Sequence, residues 1–133
     1  MKIKPVLYIL MRNDLESLNA GKAMAQASHA SNAFVKKISS SNENDKELYE
    51  LWKNETNQDF GTVIVLAVNE QKMNSVIDNA KKIGLVCDII HDPTYPLIDG
   101  NFCHYIPLNT CGFVFGDKND ISLKSILQNI KLY

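Results

Sequence analysis

Three short apolar runs limit what this chain can fold into: PVLYILM at 5–11, GTVIVLAV at 61–68 and LVCDIIHD at 85–92. Each is too short to cross a membrane and each predicts a strand, the first covered on both faces, the second buried and the third an ordinary strand. The segments between them carry helical spacing instead. GKAMAQASHA opens a helix expected over about 21–38, and DKELYELWKNE places Leu48, Leu51 and Trp52 on one face. EQKMNSVIDNAKKIG does the same with Met73, Val76, Ile77 and Ala80, and Gly84 stands where a C-cap glycine would. Strand and helix alternate. The expected class is therefore α/β, a three-layer α/β/α sandwich around a mixed, mostly parallel sheet of about four to five strands.

The end of the chain is harder to divide. PTYPLIDGN at 93–101 reads as turns because of Pro93, Pro96 and the Asp99-Gly100 pair. FCHYIPL and CGFVF read as two further strand segments, and ISLKSILQNI as a last short helix. No repeat or composition shift splits the 133 residues, so a single domain over 1–133 is expected. A chain of this length buries roughly two-thirds of the surface it would expose unfolded.

Charge and cysteine usage exclude several classes. The net charge is −1, so no global positive field draws in nucleic acid, and any RNA contact must use a local patch. Arg12 is the only arginine, which leaves lysines to meet phosphates as point charges. Cys87, Cys103 and Cys111 are odd in number and show no CxxC spacing, which argues against a disulfide framework or a zinc site and suits a reducing cytoplasm. His91 and His104 have no metal-ligand spacing to other His or Cys, so no metal is expected. The start, MKIKPVLYILMRND, has too short an apolar run and no cleavage site for a signal peptide and reads as a first strand.

One helix carries an unusual stripe. Lys22, Gln26 and His29 fall at i, i+4 and i+7 and so share a face, among Ala, Ser and Met on the others. A lysine in the first turn opposes the helix dipole by roughly 0.3–1 kcal/mol, which makes more sense if an anion joins it at the free N–H groups. The plainer alternative is a solvated lysine. His29 among alanines is equally readable as a packed residue, and Gln26 could bond either neighbour. Asp92 ends the third strand, at the sheet edge where open α/β folds place their sites; it could orient a water there or simply start a turn before Pro93. Tyr95 and Phe102 flank the turn and would either stack on a base or fill the core.

In order along the chain, LMRNDL, GKxxAQxxHA (Gly21, Lys22, Ala25, Gln26, His29, Ala30), Trp52, the Ala80–Gly84–Leu85 helix end, Asp92 and the closing IKLY resemble the type II peptidyl-tRNA hydrolases. That resemblance implies hydrolysis of the ester between peptide and tRNA, with Lys22 and Asp92 as catalytic residues. Asp14, Gln26, His29, Thr94 and Thr110 would bind substrate or support the site. It implies no cofactor, tRNA as the partner, no membrane, and a second copy of the chain, a homodimer, as a further candidate partner. Three departures stand out. Pro96 and Leu97 occupy the family's Thr and Gln places after the aspartate, Ala20 replaces an earlier lysine, and the segment 100–111 is longer, leaving Thr110 and Cys111 as rivals for the family's strand threonine. The alternative function is a domain of the same fold that no longer hydrolyses and binds a nucleotide, an RNA end or a protein.

Overall fold

A computed structural model describes residues 2–133. The element order is β1 Pro5–Arg12, α1 Ala20–Ser39, α2 Glu43–Lys53, β2 Val63–Val68, α3 Glu70–Lys82, β3 Val86–Asp99, β4 Phe102–Asp117 and α4 Ile121–Leu127. Asparagine starts the three longer helices: Asn19, Asn42 and Asn69 each accept from the backbone N–H three residues on. Such a cap satisfies one of the donors that a helix start leaves without a partner. α3 ends as its glycine predicts. Gly84 has φ +78°, its N–H reaches the Lys81 carbonyl, and Leu85 N–H reaches back to Ala80. That pair of bonds is the Schellman stop, which needs a residue without Cβ strain at the left-handed position.

β1 runs through the middle of the sheet, whose order is β2-β1-β4-β3. Its residues are buried throughout because both faces are covered. Leu7, Ile9 and Met11 pack with Phe34, Phe113 and Phe115 beneath α1 and α2. Val6, Tyr8 and Leu10 pack with Val76, Ile77 and Val114 beneath α3 and α4. The period of two thus builds two cores from one strand, and the expected three layers are present. Trp52 joins the first core: its ring meets Phe34 edge-on at 5.4 Å and its indole N–H donates to the Thr62 carbonyl at 2.8 Å.

The sheet is mixed, as expected, but mostly antiparallel rather than mostly parallel. Only β1 and β2 run parallel; β1–β4 and β3–β4 are antiparallel. The physical reason is the connection between β3 and β4. Asp99 pairs with Phe102, so only Gly100 and Asn101 lie between the strands, and Gly100 takes φ +58°. A two-residue link makes a hairpin and cannot make the long crossover that parallel neighbours need. The supposed turns at 93–99 are therefore strand, and the two segments at 102–108 and 111–115 are one continuous β4. At the far edge, the Ala67 N–H donates to the Lys131 carbonyl and the Tyr133 N–H to Val65, so the IKLY segment lies along β2.

Two irregularities in the β3–β4 ladder set up the site. Ile90 pairs with Cys111 and His91 with Asn109, leaving Thr110 as an extra residue in β4. Asp92 pairs with Leu108 and Tyr95 with Ile106, which leaves one extra residue in β3 opposite Pro107. Prolines at 93 and 107 have no N–H for the ladder, so pairing falters there. Bulges of this kind bend a strand and re-aim its side chains.

Candidate active site

α1 crosses β3 so that its polar stripe meets the strand residue by residue. Small side chains make this possible: Ala23 and Ala30 are buried against the sheet, with Phe34 completing the seam. Gln26 is buried too, and it is the polar centre of the contact. Its amide donates from Nε2 to Asp92 Oδ2 at 2.8 Å, while its Oε1 accepts the Thr110 hydroxyl at 2.6 Å. The bulge at Thr110 is what turns that hydroxyl toward α1. Cys111 follows it on the same side, with its thiol 3.5 Å from the Gln26 carbonyl oxygen. Burial pushes the Cys111 thiol up to about 12, which removes it as a nucleophile at neutral pH.

Asp92 is held from two sides. Gln26 takes one oxygen, and the Thr94 backbone N–H donates to the other at 2.9 Å. Burial pushes the carboxyl up, but these two donors, with nearby His29, outweigh it and leave Asp92 below its ordinary value. The site therefore contains a carboxylate that stays ionised and fixed in orientation. His29 is exposed and contributes at a distance, without a hydrogen bond of its own among the described residues. The Thr94 side chain is exposed.

Lys22 lies one turn before Gln26 and meets the next stretch of β3. Its Nζ donates to the Pro96 carbonyl at 2.6 Å and stands 5.0 Å from the centre of the Tyr95 ring. The first is a direct hydrogen bond and the second a cation–π distance. Tyr95 itself is fully buried, with its hydroxyl 2.9 Å from Ser17 Oγ, whereas Phe102 is exposed at the hairpin tip. Lys22 also borders an open cleft of about 590 Å³, with Asp14, Ser17 and Leu97 among its walls. Asp92 is not part of that lining; it sits one helical turn away, under Gln26.

Sequence reasoning passed over Arg12 as a site residue. Its buried guanidinium bonds Asp14 through Nε and Nη2, Glu70 at 3.0 Å, and the Asn109 carbonyl at 2.9 Å. Asn109 precedes the bulged Thr110, so Arg12 pins the strand next to the bend. The Arg12 bond is also the largest cause of the lowered carboxyl pKa of Asp14; burial opposes it, and the Glu70 N–H adds to it. The usable signal was the chain's one arginine closing an otherwise apolar buried strand. His91 points to the other face and bonds Asn109 Oδ1 at 2.8 Å. His104 lies 3.9 Å from Asp99 near the hairpin tip.

A family model described as peptidyl-tRNA hydrolase PTH2 matches residues 5–133. The chain belongs to the peptidyl-tRNA hydrolase PTH2 family. Among solved structures, a protein of unknown function from Agrobacterium tumefaciens strain C58 is similar in fold. The two share 8% identity at a TM-score of 0.59, over 97% of each chain. At that identity the likeness speaks for the fold alone. None of the curated proteins compared matches the sequence. In this PTH2 family member the Lys22 ammonium engages the backbone carbonyl of Pro96 and no carboxylate among the described residues. No helix among the described residues is long and apolar enough to cross a membrane.

Proposed function

We propose that this protein hydrolyses the ester bond between peptide and tRNA in peptidyl-tRNA, in the cytoplasm, and so returns tRNA to use. The observation that carries the proposal is the Thr110–Gln26–Asp92 chain of hydrogen bonds one helical turn from a Lys22-lined cleft, in a member of this family. Asp92 is held too acidic to be a strong base, so its role is to accept a hydrogen bond from the attacking water and aim it. The water oxygen adds to the ester carbonyl carbon, and the Lys22 ammonium stabilises the oxyanion that forms. Collapse breaks the carbon–oxygen bond to the ribose. One proton of the water passes through solvent to the ribose oxygen, the other is released to solvent, and the peptide leaves as a carboxylate. Thr110 holds Gln26, Gln26 holds Asp92, and Thr94 contributes its backbone N–H; Asp14 borders the cleft, and His29 stands near Asp92 as a supporting side chain.

One observation favours a second reading. One of the three N–H donors of Lys22 is taken by the Pro96 carbonyl, which ties the ammonium to the protein's own backbone. A domain of this fold that binds an RNA end or another partner without cleaving it would tolerate that contact. Release of labelled peptide from peptidyl-tRNA decides between them. Turnover by the wild type, abolished in folded Lys22→Ala and Asp92→Asn, supports the hydrolase. A folded wild type inert on several peptidyl-tRNAs supports the binding domain.

A further inference from the structure

The two parallel strands feed helices that begin alike. Asn19 caps α1 and accepts from the Lys22 N–H at 2.9 Å; Asn69 caps α3 and accepts from the Lys72 N–H at 2.7 Å. Each helix thus opens Asn-x-x-Lys at the C-terminal end of a parallel strand, one helix on each face of the sheet. A first-turn lysine opposes the helix dipole, so neither lysine is explained by its helix. Lys22 has its place in the reading above, but Lys72 does not.

Lys72 lines an open cavity of about 500 Å³ with Asn13, Asn69, Asn129 and Lys131. Asn129 has φ +64°, and the segment after it runs back along β2, which brings Lys131 from a distant part of the sequence to the same cavity. Among the described residues neither ammonium has a carboxylate or hydrogen-bond acceptor, whereas Lys4, Lys37, Lys46 and Lys53 all pair with acids. Asp14, on the neighbouring loop, is occupied by Arg12 and the Glu70 N–H. Two unpaired lysines facing asparagine amides in one basin leave positive charge and donors for an anion.

We propose that this cavity is a second anion subsite, which takes a backbone phosphate of the tRNA whose 3′ ester lies at Lys22 and Asp92. The proposal rests on the hydrolase reading for the position of that ester. Position favours a polynucleotide over a small anion. Asn13 borders this cavity and Asp14 borders the Lys22 cleft, so the two basins flank successive residues of the loop after β1, close enough for one polynucleotide backbone to reach both. In a chain of net charge −1, such a local patch is where RNA affinity has to come from.

The test is binding of deacylated tRNA across a salt series, with peptide release from peptidyl-tRNA measured in parallel on the wild type. Replacing Lys72 and Lys131 together by alanine should weaken tRNA about tenfold or more at low salt. It should also flatten the slope of log Kd against log salt by roughly 0.7–0.9 per lysine. Lys124→Ala, on α4 and outside the cavity, should leave both unchanged. If the double variant binds tRNA with unchanged affinity and slope while the wild type releases peptide, the subsite is overturned and the hydrolase stands. If the wild type binds tRNA but releases nothing, and the double variant loses binding, the subsite stands and the hydrolase falls. A wild type that neither binds nor cleaves removes both. Saturation of the wild type by adenosine monophosphate, lost in the double variant while tRNA binding holds, makes the cavity a mononucleotide site and overturns the proposal.

Discussion

Thr110 donates its hydroxyl proton to Gln26 Oε1 across 2.6 Å, while Asp92, which as a carboxylate can only accept, takes the NH₂ end of the same amide. With Oε1 committed to Thr110, the NH₂ group is the end that reaches the carboxylate. A threonine in β4 therefore orients an aspartate in β3 through a residue of α1.

Removing the middle of that chain should separate stability from charge. Gln26→Leu strands the buried Thr110 hydroxyl and should lower the unfolding free energy by about 1–3 kcal/mol. Gln26→Glu places a second carboxyl against Asp92 and should move the acid limb of peptide release to higher pH. Urea titration reads the first and a pH–rate profile the second. An unmoved acid limb in Gln26→Glu would count against Asp92 as the group that sets it.

Arg12 should matter more than its ion pairs suggest. Its partners Asp14 and Glu70 are 36% and 47% exposed, so the Coulombic gain is largely screened by water. The bond to the Asn109 carbonyl is the one that ties the guanidinium to β4. Arg12→Met should cost about 1–3 kcal/mol through that lost bond and loosen the Thr110 bulge. The check is amide hydrogen exchange at residues 109–111, which should speed up beyond any global change; uniform acceleration would argue against a local pin.

Acid should unfold the protein partly through Asp14 and Asp92. Both carboxyls lie below their ordinary values in the folded chain. A lowered folded pKa contributes stability that is present above the unfolded value of about 4 and disappears as pH falls through the folded one. Stability attributable to these groups should thus be level from neutral pH down to about 4 and fall below it. Asp14→Asn should make the fall shallower. An equally steep fall in that variant would assign the acid transition elsewhere.

Gly61 has no room for a side chain. A Cβ there would run into the Trp52 carbonyl and indole ring. Gly61→Ala should therefore displace the tryptophan, at a cost of about 1–3 kcal/mol. Since Trp52 is the only tryptophan, its fluorescence reports the shift directly. Native stability and an unchanged spectrum together would show that the loop moves aside freely.

Much of this was legible in the sequence, for identifiable reasons. β1, α1 and α3 announced themselves because burial on two faces or one stripe leaves a periodic trace, β2 showed as an apolar run although much of it is only half-buried, and Gly84 marked a real left-handed stop. The hairpin did not, because Pro93, Pro96 and Asp99-Gly100 look like consecutive turns, yet only Gly100 takes a turn conformation that demands glycine. Alternating helices and strands suggested parallel pairing, and nothing in the composition reveals that a link is only two residues long. The Lys22–Gln26–His29 stripe was visible from helical spacing. The choice between Thr110 and Cys111 was not, because one extra residue in a ladder changes which side chain faces the helix and leaves no mark in the pattern.

The prolines that disguised β3 also bear on how the molecule meets its neighbours. β3 is an outer strand of 14 residues, long enough to recruit a strand from another chain. Pro93 and Pro96 offer no N–H to any incoming backbone, and the bulge between Asp92 and Tyr95 breaks the even spacing that such a strand would need. IKLY occupies the opposite edge. The sheet is thereby guarded along the second half of β3 and part of β2, which disfavours joining two copies of this chain by extending one sheet.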